Sequence, residues 1–194
     1  MKAIKKFTIF AGVNGAGKST LYYTEVSRDL GIRLNSDEIL HSLGLDWRDS
    51  GAQMLAGKNL LKLQKECLEN GVSFNQETTL SGKTILNAIK KAKEQGYAIH
   101  LRYVGVATPE IAKERVQMRI ARGGHGVSGG TIERRFTTSK ENFLTVYPYC
   151  DSILIYDNTE QMTCVALIKN GEMELMQSVP WVNELLSGID LKKR

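Results

Sequence analysis

Gly12-Val13-Asn14-Gly15-Ala16-Gly17-Lys18-Ser19 fills every position of the phosphate-loop pattern GxxxxGK[ST], and the apolar run Phe7-Thr8-Ile9-Phe10-Ala11 stands directly before it. A buried strand ending at Gly12 releases the chain into a turn whose backbone N–H groups converge on phosphate oxygens, and a helix then starts near Gly17. In that arrangement Gly12, Asn14, Gly15, Ala16, Gly17, Lys18, Ser19 and Thr20 form the nucleotide-contacting set. Lys18 reaches the β- and γ-phosphates and the Ser19 hydroxyl lies on Mg²⁺. The dipole of a helix through Leu21, Val26 and Leu30 adds partial positive charge.

The remaining pattern alternates strands with helices, which predicts an α/β fold: a P-loop NTPase three-layer α/β/α sandwich around a mostly parallel sheet. A short strand Ile32-Arg33-Leu34 leads to Asn35-Ser36-Asp37, where Ser36 or Asp37 is expected to cap a helix through Ile39, Leu40 and Leu43. A longer helix from about Ala52 to Glu69 turns Leu55, Leu60, Leu63 and Cys67 inward and stops at Gly71. A strand over Val72 to Gln76 runs into Glu77-Thr78-Thr79, and Ser81 then caps a helix that ends at Gly96. Tyr97 to Val104 reads as a buried strand, and Thr108-Pro109 starts the next helix. That helix runs into residues 123–130, five of them glycine, before another helix from about Ile132 to Val146. This segment is the expected lid, about residues 115–137. A strand over Ser152 to Tyr156, a hairpin turning at Asn170-Gly171 and a last helix opened by Pro180 complete the chain.

A chain of 194 residues with 42% hydrophobic content suits one domain over 1–194. Cys67, Cys150 and Cys164 are odd in number and lack a CxxC pair, which speaks against a disulfide framework and a zinc site and for a reducing cytoplasm. Met1 to Lys6 run straight into the first strand without a signal-peptide core, and no apolar stretch is long enough for a bilayer, so a soluble protein without membrane association is expected. The net charge is +5, with the basic residues concentrated at Lys113, Arg115, Arg119, Arg122, Arg134, Arg135 and Lys140. Such a focused cluster suits a small polyanion better than a long nucleic-acid groove.

Other elements narrow the chemistry. The guanine-reading NKxD is absent. Leu80-Ser81-Gly82 resembles a transporter-ATPase signature but lacks the apolar strand ending in Asp-Glu that should follow, and Gly82-Lys83-Thr84 lacks the first glycine of a phosphate loop, its place being taken by Glu77. What remains is the small-molecule kinase plan: a phosphate loop, a carboxylate at the acceptor hydroxyl, and arginines on a closing lid. Asp37, just after the second strand, is the expected base. Glu77, at the end of another strand, is assigned to substrate, with Thr78 and Thr79 offering hydroxyls. Arg119, Arg122 and Arg135 flank the glycine segment and are expected to meet the transferring phosphate. His125, inside the lid, is read as either a phosphate contact or a turn residue.

Taken together, residues 12–19, Leu-Asn-Ser-Asp-Glu-Ile at 34–39, Phe-Asn-Gln-Glu-Thr-Thr at 74–79 and Arg-Ile-Ala-Arg-Gly-Gly-His-Gly-Val at 119–127 resemble the zeta toxin family. Ile132 to Phe136 and Tyr156-Asp157-Asn158 extend the resemblance over nearly the whole chain. It implies a P-loop kinase using ATP and Mg²⁺, whose best understood relatives phosphorylate the 3′-hydroxyl of the amino sugar in UDP-N-acetylglucosamine. On that resemblance the phosphate-loop lysine falls on Lys18, the catalytic aspartate on Asp37, and the substrate-binding acid and threonine on Glu77 and Thr79. Arg135 is the second of two lid arginines, while Arg119 and Arg122 compete for the first. A small-molecule acceptor and an antitoxin are the implied partners. The glycine-rich lid and short length are closer to standalone zeta-like ATPases, so a nucleoside or polynucleotide 5′-hydroxyl as acceptor, and a nucleotide-dependent switch without transfer, stay open.

Overall fold

The computed structural model describes residues 4–25 and 29–189, and 192–193 as backbone. Val26, placed on the face of the first helix, and Met1 to Ala3 lie outside the described residues. The centre of the sheet is β1 (Lys6–Ala11), buried at every position after its first residue. It pairs in parallel with β3 (Phe74–Thr78) on one side and β4 (Ala98–Gly105) on the other. β2 (Ile32–Leu34) adds beside β3 and β5 (Ser152–Asp157) beside β4, both parallel. β6 (Thr163–Lys169) and β7 (Glu172–Leu175) extend the sheet antiparallel, and β8 (Lys192–Lys193) pairs with β7. The order is β2-β3-β1-β4-β5-β6-β7-β8.

Side chains of a strand alternate between faces, and β1 shows how both faces are covered. Phe7, Ile9 and Ala11 join one core with residues of α3 (Ser50–Asn70), α4 (Lys83–Glu94) and α7 (Pro180–Ser187). Phe10 joins the opposite core with residues of α1 (Lys18–Glu25) and α5 (Pro109–Ala121). The α6 helix (Gly129–Val146) supplies Phe143 and Val146 to the first and Ile132 to the second. The three-layer, mostly parallel α/β expectation therefore holds. No helix among the described residues is long and apolar enough to cross a membrane.

Several local readings are corrected. Leu55 and Leu63 on α3 are exposed at 45% and 38%; the buried stripe is Ala52, Ala56, Leu60, Gln64, Cys67 and Leu68, an i,i+4 row displaced from those two leucines. The cap of α2 (Ser36–Ser42) is neither Ser36 nor Asp37. Asn35 takes that place, its side-chain oxygen accepting from the Asp37 and Glu38 backbone N–H groups, so Asp37 is left free of capping. Ser81 does not cap α4, whose N-cap is Gly82; the Ser81 hydroxyl bonds that of Thr79 at 2.8 Å. α6 starts at Gly129, earlier than expected, because the Ser128 hydroxyl accepts from the Thr131 N–H. The hairpin turns at Asn170 and Gly171, both with positive φ, as the Asn-Gly pair requires.

Candidate active site

Parallel strands in this order bring the C-terminal ends of β1, β2 and β3 to one edge, and the loop opens there. Its path demands glycine. At Gly12 (φ 139°) a Cβ would lie 2.0 Å from the Val104 carbonyl oxygen, and at Gly17 (φ 104°) 2.4 Å from Asn158 Nδ2. Asn158, just after β5, donates from that nitrogen to the Ala16 carbonyl at 2.8 Å and so holds the loop from the far side of the sheet. Lys18 is buried and donates to the Val13 carbonyl at 3.2 Å. Burial pushes its ammonium below the usual lysine range; Glu77 and then Asp37 pull it back up, and Arg119 and Arg135 push it down. Four of the expected residues therefore act electrostatically on this one ammonium. Thr20 is exposed in the first turn of α1.

Glu77 is held from several sides. Its carboxylate accepts from the Ser19 hydroxyl at 2.9 and 3.0 Å, from Arg33 Nη2 at 2.8 Å and from Asn35 Nδ2 at 3.1 Å, with Lys18 Nζ 3.9 Å away. The reason is topological: β3 lies between β1 and β2, so its last residues meet the phosphate loop on one side and Arg33 and Asn35 on the other. Arg33 is itself held by Glu38 at 3.0 Å and by the Tyr22 ring, 3.6 Å from its guanidinium carbon. Arg33, Asn35 and Asn158 were absent from the sequence-based site. Asn35 and Asn158 do lie within the segments that carry the family resemblance, and for Arg33 the only signal was a charged residue in a short strand.

Asp37 projects from the first turn of α2, and the lid meets it there. His125 Nε2 is 3.6 Å from Asp37 Oδ1, and the same imidazole packs on Trp47 with ring centroids 5.1 Å apart. Arg135, on α6, donates to Asn14 Oδ1 of the loop at 2.8 Å; burial foremost, and then Arg134, lower its pKa, while Asp37 raises it. Arg119 presents Nε and Nη2 buried without a hydrogen-bond partner, whereas Arg122 is the exposed C-cap of α5 and is not among the charges acting on Lys18. Of the two arginines, Arg119 is the one whose charge acts on Lys18. Arg122 shares a recess with Arg119 at the end of α5.

Asp37, Glu77, Thr79, Lys18, Arg135 and His125 all border one cleft of about 460 Å³. The cleft is also lined by Leu40, Ala56, Leu60 and Ile85 and by Gln64 and Gln76. The arrangement can hold phosphate at the loop and a second molecule between Asp37 and α3. Among the described residues no group of three or more His, Cys, Asp or Glu side chains is placed to hold a metal. One hydroxyl and one carboxylate, Ser19 and Glu77, form an all-oxygen pair of the kind that suits Mg²⁺, which takes its remaining ligands from phosphates and water.

The model of the zeta toxin family matches residues 50–169. A protein of Haemophilus influenzae described as uncharacterized is 32% identical over 132 residues, 68% of this chain and 92% of its own length. This chain belongs to the zeta toxin family. Among solved structures the AvrRxo1-ORF1:AvrRxo1-ORF2 complex with sulphate ions superposes at a TM-score of 0.69 with 15% identity, over 96% of this chain. The toxin-antitoxin system PezAT of Streptococcus pneumoniae does so at 0.61 with 18% identity, over 96% of this chain and 78% of that one. An AvrRxo1-ORF1:-ORF2 structure with ATP aligns at 0.67 with 15% identity, over 90% of this chain and 61% of that one. The zeta-family chain spans 65% and 61% of the two AvrRxo1 chains, and at these identities the likeness is one of fold.

Proposed function

We propose that this zeta-family protein transfers the γ-phosphoryl group of ATP to a hydroxyl of a small molecule. One observation supports this reading above the rest: Asp37, the phosphate-loop lysine and the lid residue Arg135 converge on a single cleft that has room for an acceptor beside the loop. Asp37 accepts the proton of the acceptor hydroxyl as its oxygen forms the new bond to phosphorus and the bond to ADP breaks. Lys18, Arg119 and Arg135 meet the charge on the equatorial oxygens, and the lid excludes water. Ser19 and Glu77 would hold Mg²⁺, whose chemistry when bound is to neutralise the β- and γ-phosphates. Glu77 thereby moves from acceptor to metal, with Thr79 staying at the acceptor.

The family resemblance makes a sugar nucleotide such as UDP-N-acetylglucosamine the first acceptor to offer and an antitoxin the protein partner to seek. The test is a phosphate-transfer assay with ATP and Mg²⁺ and products identified by mass. Asp37→Asn should abolish transfer and leave ATP binding within about twofold. Full transfer by that variant removes Asp37 from its role, and ATP binding without transfer to any acceptor favours a nucleotide-dependent switch instead.

A further inference from the structure

Residues 41–50 are all exposed with one exception, the half-buried Trp47. Its place is fixed by α2 and α3. The side chain packs beside Ile39 against Leu40 of α2 and Ala52 and Ala56 of α3, and its backbone carbonyl accepts from Gln53 Nε2 at 2.5 Å. The Arg48 guanidinium carbon lies 4.6 Å from the ring centroid. A large apolar ring anchored in an otherwise exposed segment is covered by something, and the lid covers it.

Two consecutive lid residues meet this ring. His125 sets its imidazole on it at a tilt of 52°. Gly126 is the only buried residue between Ala121 and Thr131. A Cβ there would lie 3.3 Å from Trp47 Cη2 and 2.3 Å from Ile120 Cδ1, so the lid backbone passes between Trp47 and α5 through a gap without room for a side chain. On either side of this point the lid is loosely packed, since a Cβ at Gly123 or Gly130 would meet nothing within 4 Å. His125 Nε2, at 3.6 Å from Asp37 Oδ1, is beyond hydrogen-bond reach, so Trp47 and not Asp37 fixes the imidazole. Asp37 and Leu40 stand on the same helix, and the tryptophan therefore ties the lid to the element that carries the base.

We propose that Trp47 is a positioning residue for phosphoryl transfer: it docks the lid over the cleft and so decides whether the γ-phosphoryl group meets the acceptor or water. The proposal rests on the phosphoryl-transfer reading. With the lid docked, the acceptor hydroxyl is the nucleophile at hand. With the lid undocked, water attacks the γ-phosphorus in its place, Asp37 takes the water proton, the bond to ADP breaks and inorganic phosphate leaves.

Two ratios measured on Trp47→Ala test it. The first, on the nucleotide-free protein, is the rate of tryptic cleavage after Arg122, at the start of the lid, over that after Lys169 in the hairpin, with fragments identified by mass. Global unfolding raises both rates and loss of docking raises only the first, so a rise of about fivefold or more is expected. The second is the phosphorylated acceptor formed per ADP released, with ATP, Mg²⁺ and UDP-N-acetylglucosamine, a nucleoside or a 5′-hydroxyl oligonucleotide as acceptor. It should fall about threefold or more at an unchanged KM for ATP. Each ratio is internal to one sample, so partial loss of folding does not obscure it. Trp47→Phe keeps a ring beside Leu40 but is too short to reach Gly126, and should move both ratios the same way by less. An unchanged cleavage ratio overturns the docking, whatever the reaction. A raised cleavage ratio with an unchanged product ratio overturns the part of Trp47 in transfer and leaves the kinase standing. A wild-type protein that phosphorylates none of these acceptors overturns the transfer reading and this role with it, and the cleavage ratio then still decides whether Trp47 docks the lid.

Discussion

Glu77→Gln removes one charge and almost no volume from a carboxylate that three side chains hydrogen-bond. The carboxylate and the Arg33 side chain are each 13% exposed and the Lys18 side chain is 8% exposed, so screening by water is weak. The carboxylate's three hydrogen-bond donors are Ser19, Arg33 and Asn35, of which Arg33 is a cation, and hydrogen bonds to charged groups contribute about 1.5–3 kcal/mol each. Lys18, at 3.9 Å, adds an ion-pair contact and no hydrogen bond. The amide oxygen can keep Arg33 and Asn35, which both donate to Oε2, but the N–H that replaces Oε1 then faces the Ser19 hydroxyl and the Lys18 ammonium. Relief from desolvating the carboxylate offsets part of this loss, leaving a net destabilisation of roughly 2–4 kcal/mol. Urea unfolding of the nucleotide-free protein reads it as a lower midpoint at constant slope. Arg33→Met, alone and combined with Glu77→Gln, isolates the coupling, expected at about 1–3 kcal/mol. A single-variant change within about 0.5 kcal/mol, or a coupling of that size, refutes the view of Glu77 as an electrostatic centre.

Arg119→Ala should lower kcat about 100-fold or more while Arg122→Ala stays within about threefold, because only Arg119 holds buried unpaired donors beside the Lys18 charge; equal losses in steady-state assays would reverse the assignment. Asn158→Ala leaves the Ala16 carbonyl without its partner and frees the loop, and titration should show ATP affinity about tenfold weaker at little change in acceptor KM. Burial pushes the Tyr103 phenol from 10.0 to about 12, with the Ser139 hydroxyl pulling it back down. The unfolded chain therefore loses this proton first as pH rises, and stability, fully present below pH 10, falls between pH 10 and 12. Tyr103→Phe should flatten that limb by roughly 2 kcal/mol in urea unfolding across this window, and an unchanged slope would exclude Tyr103 as its source.

The phosphate loop was legible because its requirement is local: glycines at φ values other residues avoid, a lysine and a hydroxyl, all within eight consecutive residues. Asp37 was legible for a similar reason, as the acid that follows a short strand. The contact of Glu77 with Ser19 was not legible, since nothing within residues 74–79 says that β3 inserts between β1 and β2. On α3 the periodicity of leucines pointed to one stripe while packing chose another. Ala52 and Ala56 let α2 approach closely, and Gln64 belongs to the buried row although polarity argues against it. The different settings of Arg119 and Arg122 depend on helix rotation, which places one arginine inward and leaves the other, less than one turn on, at the exposed end.

The walls of the phosphate loop come from distant parts of the chain. β1 pairs Phe7 with Phe74 and Lys6 with Ala98, Gly12 fits against Val104, and Gly17 fits against Asn158. Each of these closures spans a long stretch of sequence, and such contacts form slowly. During synthesis, residues 12–19 are therefore available early but acquire their last support only after the strand before Asn158 has been made. Nucleotide arriving sooner meets a cradle whose Ala16 carbonyl has no Asn158 to hold it.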